Sequence, residues 1–359
     1  MTDQPMTDLI VTTEGRAGRI TMNRPKALNA LSWEMSLALE AGLNAWKDDP
    51  AIDLVVIDAC EGRAFGAGGD IRNMWEHGSK GDYAYSRGFW SDEYRMNALL
   101  RNYPKPVVSF VDGIVMGGGV GIASNCSHRC FSEKTLLAMP ETGIGLLPDV
   151  GGTFILSRSP GRSGEFLGLT GTRIGVADAI YAGFADHFVP SADHAALKAE
   201  LCKTGDVLVI GRYERDPMTA EAPEVAPMLA DLLGEIDEIF DNSTPMAIVE
   251  DLQASKAEWA QAAAKAILRA CPLSVGSTLI AIRNAREMST IEEALAEEYR
   301  FTYRSQEFGE LNEGVRAQIV DKDRNPQWAS PRLEDIWPDR AMFMLSDLGE
   351  NEWKHGKRA

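Results

Sequence analysis

The chain has 359 residues, enough for one large domain with an extension or for two domains, so core size does not limit its stability. Its 53 acidic against 36 basic residues leave a formal charge of −17, which repels phosphate backbones and argues against nucleic acid as the main partner. Five cysteines (Cys60, Cys126, Cys130, Cys202, Cys271), odd in number and sparse, argue against a disulfide framework and fit a reducing cytoplasm. The opening MTDQPMTDLI is acidic without an apolar segment, and no uncharged apolar run approaches the roughly 18 residues of a membrane span. The expectation is a protein that is neither exported nor held in a membrane.

In chain order, residues 9–13 and 19–22 flank Glu14-Gly15-Arg16-Ala17-Gly18 and predict a hairpin. Asn23-Arg24-Pro25-Lys26 breaks the strand, and Ser32 with Glu34 opens a helix whose Met35, Leu37, Leu39, Leu43 and Trp46 suit one buried face. Residues 54–57 read as a strand inside a covered sheet. Residues 63–72, RAFGAGGDIR, follow; three glycines after a strand read first as a tight turn. Residues 88–102 predict a helix on which Glu93, from composition alone, is a solvated carboxylate. Residues 105–111 are a strand leading to Gly117-Gly118-Gly119, and residues 120–124 are helix-compatible. A helix N-terminus there leaves backbone N–H groups without partners, and a residue lacking a side chain lets a ligand oxygen reach them. Two such glycine turns, brought side by side, can point two N–H groups at one thioester oxygen.

After a short strand at 136–139 comes MPETGIGLLPDVGG, residues 139–152, with two carboxylates. Glu141 is bracketed by Met139, Ile144 and Leu146, so desolvation is expected to raise its pKa and suit it to acid or base work near neutral pH. Asp149 before Gly151-Gly152 reads equally as a helix N-cap. Two short helices follow, separated by Gly171-Thr172-Arg173. Residues 207–210 are a weak strand candidate, and helices are expected at about 226–240, 247–256, 258–269, 274–285 and 291–305. There is no dinucleotide G-x-G-x-x-G, no phosphate loop and no G-x-S-x-G elbow, and Cys126-Ser127-His128-Arg129-Cys130 lacks a second cluster to complete a metal site.

Together these residues resemble the crotonase (enoyl-CoA hydratase/isomerase) superfamily and, within it, the 3-hydroxyisobutyryl-CoA hydrolase branch. The general match covers about residues 9–190. AMPETGIGLLPDVGG, LTGTRIGVADAIYAGFADHFV, EYRFTYR and EGVRAQIVDKDRNPQW carry the branch. The resemblance implies an α/β fold: a crotonase-like spiral of ββα turns over 1–205, and a mainly helical C-terminal extension over 206–359 covering the site. It implies an oxyanion hole from the N–H groups of Gly69 and Gly118, with Glu141 as catalytic acid or base, Asp149 as second acid and Glu93 touching substrate. CoA is expected along Arg24, Lys26, Ala27 and Leu28 and against Ala67, Gly69, Asp70 and Ile71. In hydratases of the superfamily a catalytic Glu stands three residues after the middle glycine of the triple, where this chain has Gly121. The implied activity is hydrolysis of a short β-hydroxyacyl-CoA in valine catabolism, with an acyl-CoA as the small-molecule partner and no metal or redox cofactor. Alternatives are an enoyl-CoA hydration or isomerisation and a non-catalytic acyl-CoA-binding subunit. A cytoplasmic monomer or small homo-oligomer is expected.

Overall fold

A computed structural model describes residues 7–221 and 223–355; most of the acidic opening segment and the last four residues of the extension lie outside the described residues. Strands β1 (Leu9–Glu14) and β2 (Ala17–Met22) form the expected hairpin, paired antiparallel with Thr13 opposite Gly18. Helix α1 (Trp33–Trp46) is capped by Ser32, whose hydroxyl accepts the Met35 N–H at 3.2 Å. Met35, Leu39, Leu43 and Trp46 are buried as expected, but Leu37 is 38% exposed. It lies two residues from Met35, about 200° around the helix, and so faces water.

The chain then passes three times through one pattern of two strands and a helix. Strands β3 (Leu54–Ala59) and β4 (Ala64–Gly66) lead to α2 (Ile71–Gly78) and α3 (Tyr83–Arg101). Strands β5 (Val107–Val111) and β6 (Ile114–Met116) lead to α4 (Gly118–Ala123). Strands β7 (His128–Phe131) and β8 (Leu136–Ala138) lead to a 3-10 turn, Glu141–Ile144, and then α5 (Gly152–Leu156). In each pass the first strand joins a sheet ordered β1-β2-β3-β5-β7-β9, where β9 is His187–Phe188, and the second joins a small sheet ordered β4-β6-β8. Among the described residues every pairing between these strands beyond the hairpin is parallel, and β5 and most of β3 are buried, which is why these strands read as continuous apolar runs. This is the expected spiral.

Three local readings are corrected. The triple glycine does not follow residues 105–111 directly: that strand covers Val107–Val111, the chain turns at Gly113 (φ 83°), and β6 intervenes. Helix α3 begins at Tyr83 rather than 88, because Gly88 is an interior residue that admits the Trp33 ring, where a Cβ would lie 2.7 Å from a ring carbon. Residues 207–210 are not a strand but part of a 3-10 helix, Val207–Arg212, whose start is held by the Asp206 carboxylate accepting the Leu208 N–H at 2.9 Å. The cap outweighs the β preference of the valines.

Helices α6 (Ser163–Thr170), α7 (Val176–Tyr181) and α8 (His194–Thr204) close the spiral. The C-terminal part supplies α9 (Leu229–Phe240), α10 (Pro245–Ala254), α11 (Glu258–Arg269), α12 (Pro272–Ala285) and α13 (Ile291–Arg304), close to the five helices expected. Proline opens α10 and α12, and a reciprocal Thr290/Glu293 capping box opens α13. One contiguous apolar core runs from Leu9 to Trp353, so these helices are built onto the spiral instead of enclosing a core of their own. Among the described residues no single helix is long and apolar enough to cross a membrane; α11 and α12 reach that length only together, across a 114° bend.

Candidate active site

The small sheet sets the site. Strand β6 lies between β4 and β8, with Met116 opposite Ala138 and Gly66 opposite Val115. Neighbouring parallel strands run about 4.8 Å apart. Whatever follows their C-terminal ends is therefore brought together, as at the ligand crevices of other parallel sheets. Here those segments are Gly68-Gly69, Gly117-Gly118 and Pro140-Glu141.

Gly68 C=O accepts the Leu31 N–H at 2.9 Å and Asp70 N–H donates to Leu31 C=O at 2.8 Å. The Gly69 N–H between them is thereby turned to the opposite side. Gly117 precedes α4 with φ 47°, a conformation open to glycine, and Gly118 is the first helical residue. Among the described residues neither the Gly69 nor the Gly118 N–H has a hydrogen-bond partner. A Cβ placed on Gly118 would lie 3.2 Å from the Gly69 nitrogen and 2.8 Å from Glu93 Oε1, and one on Gly117 would lie 2.8 Å from Glu141 Oε1. The two N–H groups thus stand side by side with a carboxyl on either flank.

Glu93 comes from α3 and is buried, so the reading of it as a solvated helix carboxylate is overturned. An Arg95 guanidinium bridging Glu40 of α1 and Asp92 fixes that stretch of α3. Glu141 is 4% exposed, as its apolar neighbours imply. Asp149 is not an N-cap: Gly151 caps α5, and the Asp149 carboxylate instead accepts the Tyr94 hydroxyl at 2.8 Å. Val150, next to it, has φ 57°, where a β-branched side chain costs about 1–3 kcal/mol. Its carbonyl is held by the Asn125 side-chain amide at 3.0 Å.

Burial lifts the pKa of every carboxyl in this group. It pushes Glu141 well above its ordinary value, with the charge of Asp149 adding to the effect, and it does the same to Glu93. Asp149 is raised to about 6, the Tyr94 hydroxyl pulling the other way. Glu298 of α13, also buried, is raised to about 8 by burial, while Thr153 and Gly151 oppose the rise. Since these folded-state values exceed the unfolded ones, the stability contributed by the protonated forms is complete at low pH and lost as pH rises. The unfolding temperature is therefore expected to fall as pH rises from about 4 through about 8, from the ordinary carboxylate values to the raised values of Asp149 and Glu298. A Tm unchanged across that range in a buffer series would contradict the assignment.

A cleft of about 490 Å³ opens over these groups. Ala67, Trp90, Met116 and Leu146 line it, with Gln318 and Ile319 reaching in from the C-terminal part. These two sit on a π-helical turn, Arg316–Val320, a form concentrated at functional sites. The expected CoA residues form a seam beside the cleft. Arg24 donates to Asp70 Oδ2 at 2.9 Å, and Ala67 N–H to Leu28 C=O at 3.0 Å. Ile71 lines the cleft, Ala27 is half-buried, and Lys26 is exposed. Tyr94, Glu298, Gln318 and Ile319 are not singled out as site residues by the sequence; the signal available for Glu298 is its four-residue spacing from Thr302, which places both on one helix face. Cys126 and Cys130 are buried packing residues, and among the described residues no group of three or more His, Cys, Asp or Glu is placed to hold a metal ion.

The pattern of the enoyl-CoA hydratase/isomerase family matches residues 17–344. The mitochondrial 3-hydroxyisobutyryl-CoA hydrolase of Xenopus tropicalis is 37% identical over 353 residues, 97% of this chain and 91% of its own length. The 3-hydroxyisobutyryl-CoA hydrolase 1 of Arabidopsis thaliana is 37% identical over 331 residues, 88% of this chain and 85% of that protein. Two crystal structures share the fold over 97% of this chain: an enoyl-CoA hydratase from Rhodobacter sphaeroides, 44% identical with TM-score 0.89 over 100% of its chain, and a carnitinyl-CoA dehydratase from Mycobacterium thermoresistibile, 37% identical with TM-score 0.91 over 99% of its chain.

Proposed function

The chain belongs to the enoyl-CoA hydratase/isomerase family, and on that footing we propose that it cleaves 3-hydroxyisobutyryl-CoA, or a similar short β-hydroxyacyl-CoA such as 3-hydroxypropionyl-CoA, to the free acid and CoA. The observation that carries this reading is the pair of unpartnered N–H groups at Gly69 and Gly118, flanked by the buried carboxyls of Glu141 and Glu93. The thioester oxygen sits on the two N–H groups, so charge developing there meets donors already in place. Glu141 acts at the carbonyl carbon. It takes a proton from attacking water, or attacks to give a mixed anhydride that water opens. On either route the C–S bond breaks and CoA leaves as a thiolate; it takes up the proton held by Glu141 on the first route, and the proton released by the water that opens the anhydride and restores the Glu141 carboxylate on the second. Asp149 orients the water or the substrate hydroxyl, and Glu93 accepts that hydroxyl.

The CoA handle runs along the seam of Arg24, Lys26, Ala27 and Leu28 with Ala67, Asp70 and Ile71, and residues 206–359 cover the acyl end, where Gln318 and Ile319 line the cleft. The chemistry has no step for a metal or redox group. A branched β-hydroxyacyl substrate of this size places the enzyme in valine breakdown. The sparse, odd set of cysteines supports a reducing, cytoplasmic setting, and we take the protein to act as a monomer or small homo-oligomer.

The names of the two solved relatives point instead to hydration chemistry. Against a two-glutamate hydration here stands Gly121: a Cβ at this position would lie 2.6 Å from Val150 Cβ, so no second glutamate fits there. The deciding assay follows free thiol from 3-hydroxyisobutyryl-CoA beside loss of the double bond in crotonyl-CoA. Thiol release with little change in crotonyl-CoA is expected. Comparable turnover of crotonyl-CoA returns the hydratase reading, and binding without turnover of either returns a silent acyl-CoA-binding subunit.

A further inference from the structure

The fourth buried carboxyl, Glu298, has no part in the chemistry above. It belongs to EYRFTYR, residues 298–304, on α13. Both of its oxygens are engaged on the backbone just after Asp149. Oε2 accepts the Gly151 N–H at 2.8 Å, and Oε1 accepts the Thr153 N–H at 3.0 Å and the Thr153 hydroxyl at 2.5 Å. The residue between Asp149 and these donors is Val150 in its left-handed conformation. One turn further along α13, Thr302 Oγ1 lies 3.5 Å from the oxygen of Tyr94, whose proton goes to Asp149. Helix α13 therefore reaches Asp149 twice, through the backbone behind it and through the phenol in front.

Among the described residues no cation offsets the burial of Glu298. The titratable groups that face it are Asp149 and Glu141 from the spiral and Tyr94 from α3. A buried carboxyl among like charges is costly, and an apolar or amide side chain of similar volume fills the same space without that cost. What only the carboxyl supplies is two oxygens able to hold three donors of a strained loop in one geometry.

We propose that Glu298 is a positioning residue for Asp149, fixing the Gly151–Thr153 backbone so that the Asp149 carboxylate is held for the water or substrate hydroxyl. The assignment rests on the hydrolase reading. It makes the C-terminal helix part of the catalytic geometry as well as a cover.

The test measures thiol release from 3-hydroxyisobutyryl-CoA by the full chain carrying Glu298→Gln, Asp149→Asn or both, at equal folded fraction and across the pH range. Glu298→Gln is expected to lower kcat by about 10–100-fold with KM changed by less than about threefold, as for misplaced catalytic groups. The alkaline limb of its pH profile loses the inflection that Glu298 contributes as it ionises among Asp149, Glu141 and Tyr94. Because it acts through Asp149, the double variant is no slower than Asp149→Asn alone. A kcat for Glu298→Gln within about twofold of wild type, or losses that multiply in the double variant, overturns the assignment. If Glu298→Gln does not fold, Thr153→Val removes one donor from the other side, and the same cycle with Asp149→Asn decides the matter: non-additive loss supports the assignment and additive loss overturns it. A wild-type chain that releases no thiol overturns the hydrolase reading and this assignment with it, whereas wild-type release with Glu298→Gln unaltered overturns the assignment alone.

Discussion

Glu141→Gln is expected to cut kcat for thiol release by about 10²–10⁴-fold, the usual contribution of a positioned acid or base. Either route at the carbonyl carbon needs an ionisable oxygen there, and the amide keeps the shape while removing it. KM is expected to change little, because the seam proposed for CoA, from Arg24 to Leu28, lies on another strand connection. Stability separates this from a folding defect. Burial and the neighbouring Asp149 raise the Glu141 pKa in the folded state, so its favourable contribution is present below the unfolded value and lost as pH rises. Among the described residues Glu141 Oε2 also has no hydrogen-bond partner. The variant should therefore match or exceed the wild-type Tm near pH 8. Loss of activity together with a marked fall in Tm would mean that Glu141 is needed for the fold.

Gly118→Ala tests the oxyanion site separately from the carboxyls. The φ of Gly118 is not left-handed, so the backbone accepts alanine, unlike Gly117 at φ 47°. The added methyl lies 3.2 Å from the Gly69 nitrogen and 2.8 Å from Glu93 Oε1, in the space assigned to the thioester oxygen. Glu93 can swing its side chain aside, but the Gly69 amide is held through its neighbours' bonds to Leu31. The expected loss in kcat/KM is about 10²–10³-fold, as for removal of one oxyanion donor, with an unchanged circular dichroism spectrum. Activity within a few-fold of wild type would place the thioester elsewhere in the cleft.

Both predictions concern residues that local sequence already marked. Gly69 and Gly118 stand in glycine turns after apolar strands, and Glu141 is desolvated by Met139, Ile144 and Leu146, its own neighbours in the chain. The five C-terminal helices were legible for the same reason, since period, proline starts and caps act within one or two turns. The misreadings are equally local in cause. Strand β6 has three residues, too few to show a period, and Gly88 looks like a boundary until the Trp33 ring is placed against it. At 207–210 a carboxylate cap outcompetes β-branched side chains.

By itself the sequence determined most of the segments that become strands, turns and helices, and which carboxylate is embedded in apolar neighbours, because those properties arise from residues a few positions apart. Only the tertiary structure decided that Glu93 is buried beside Gly118, that Asp149 accepts from Tyr94 across 55 residues, and that Glu298 reaches Gly151 across 147. These contacts depend on the register of three parallel strands and on where α13 docks, and burial of side chains over the whole core settles both.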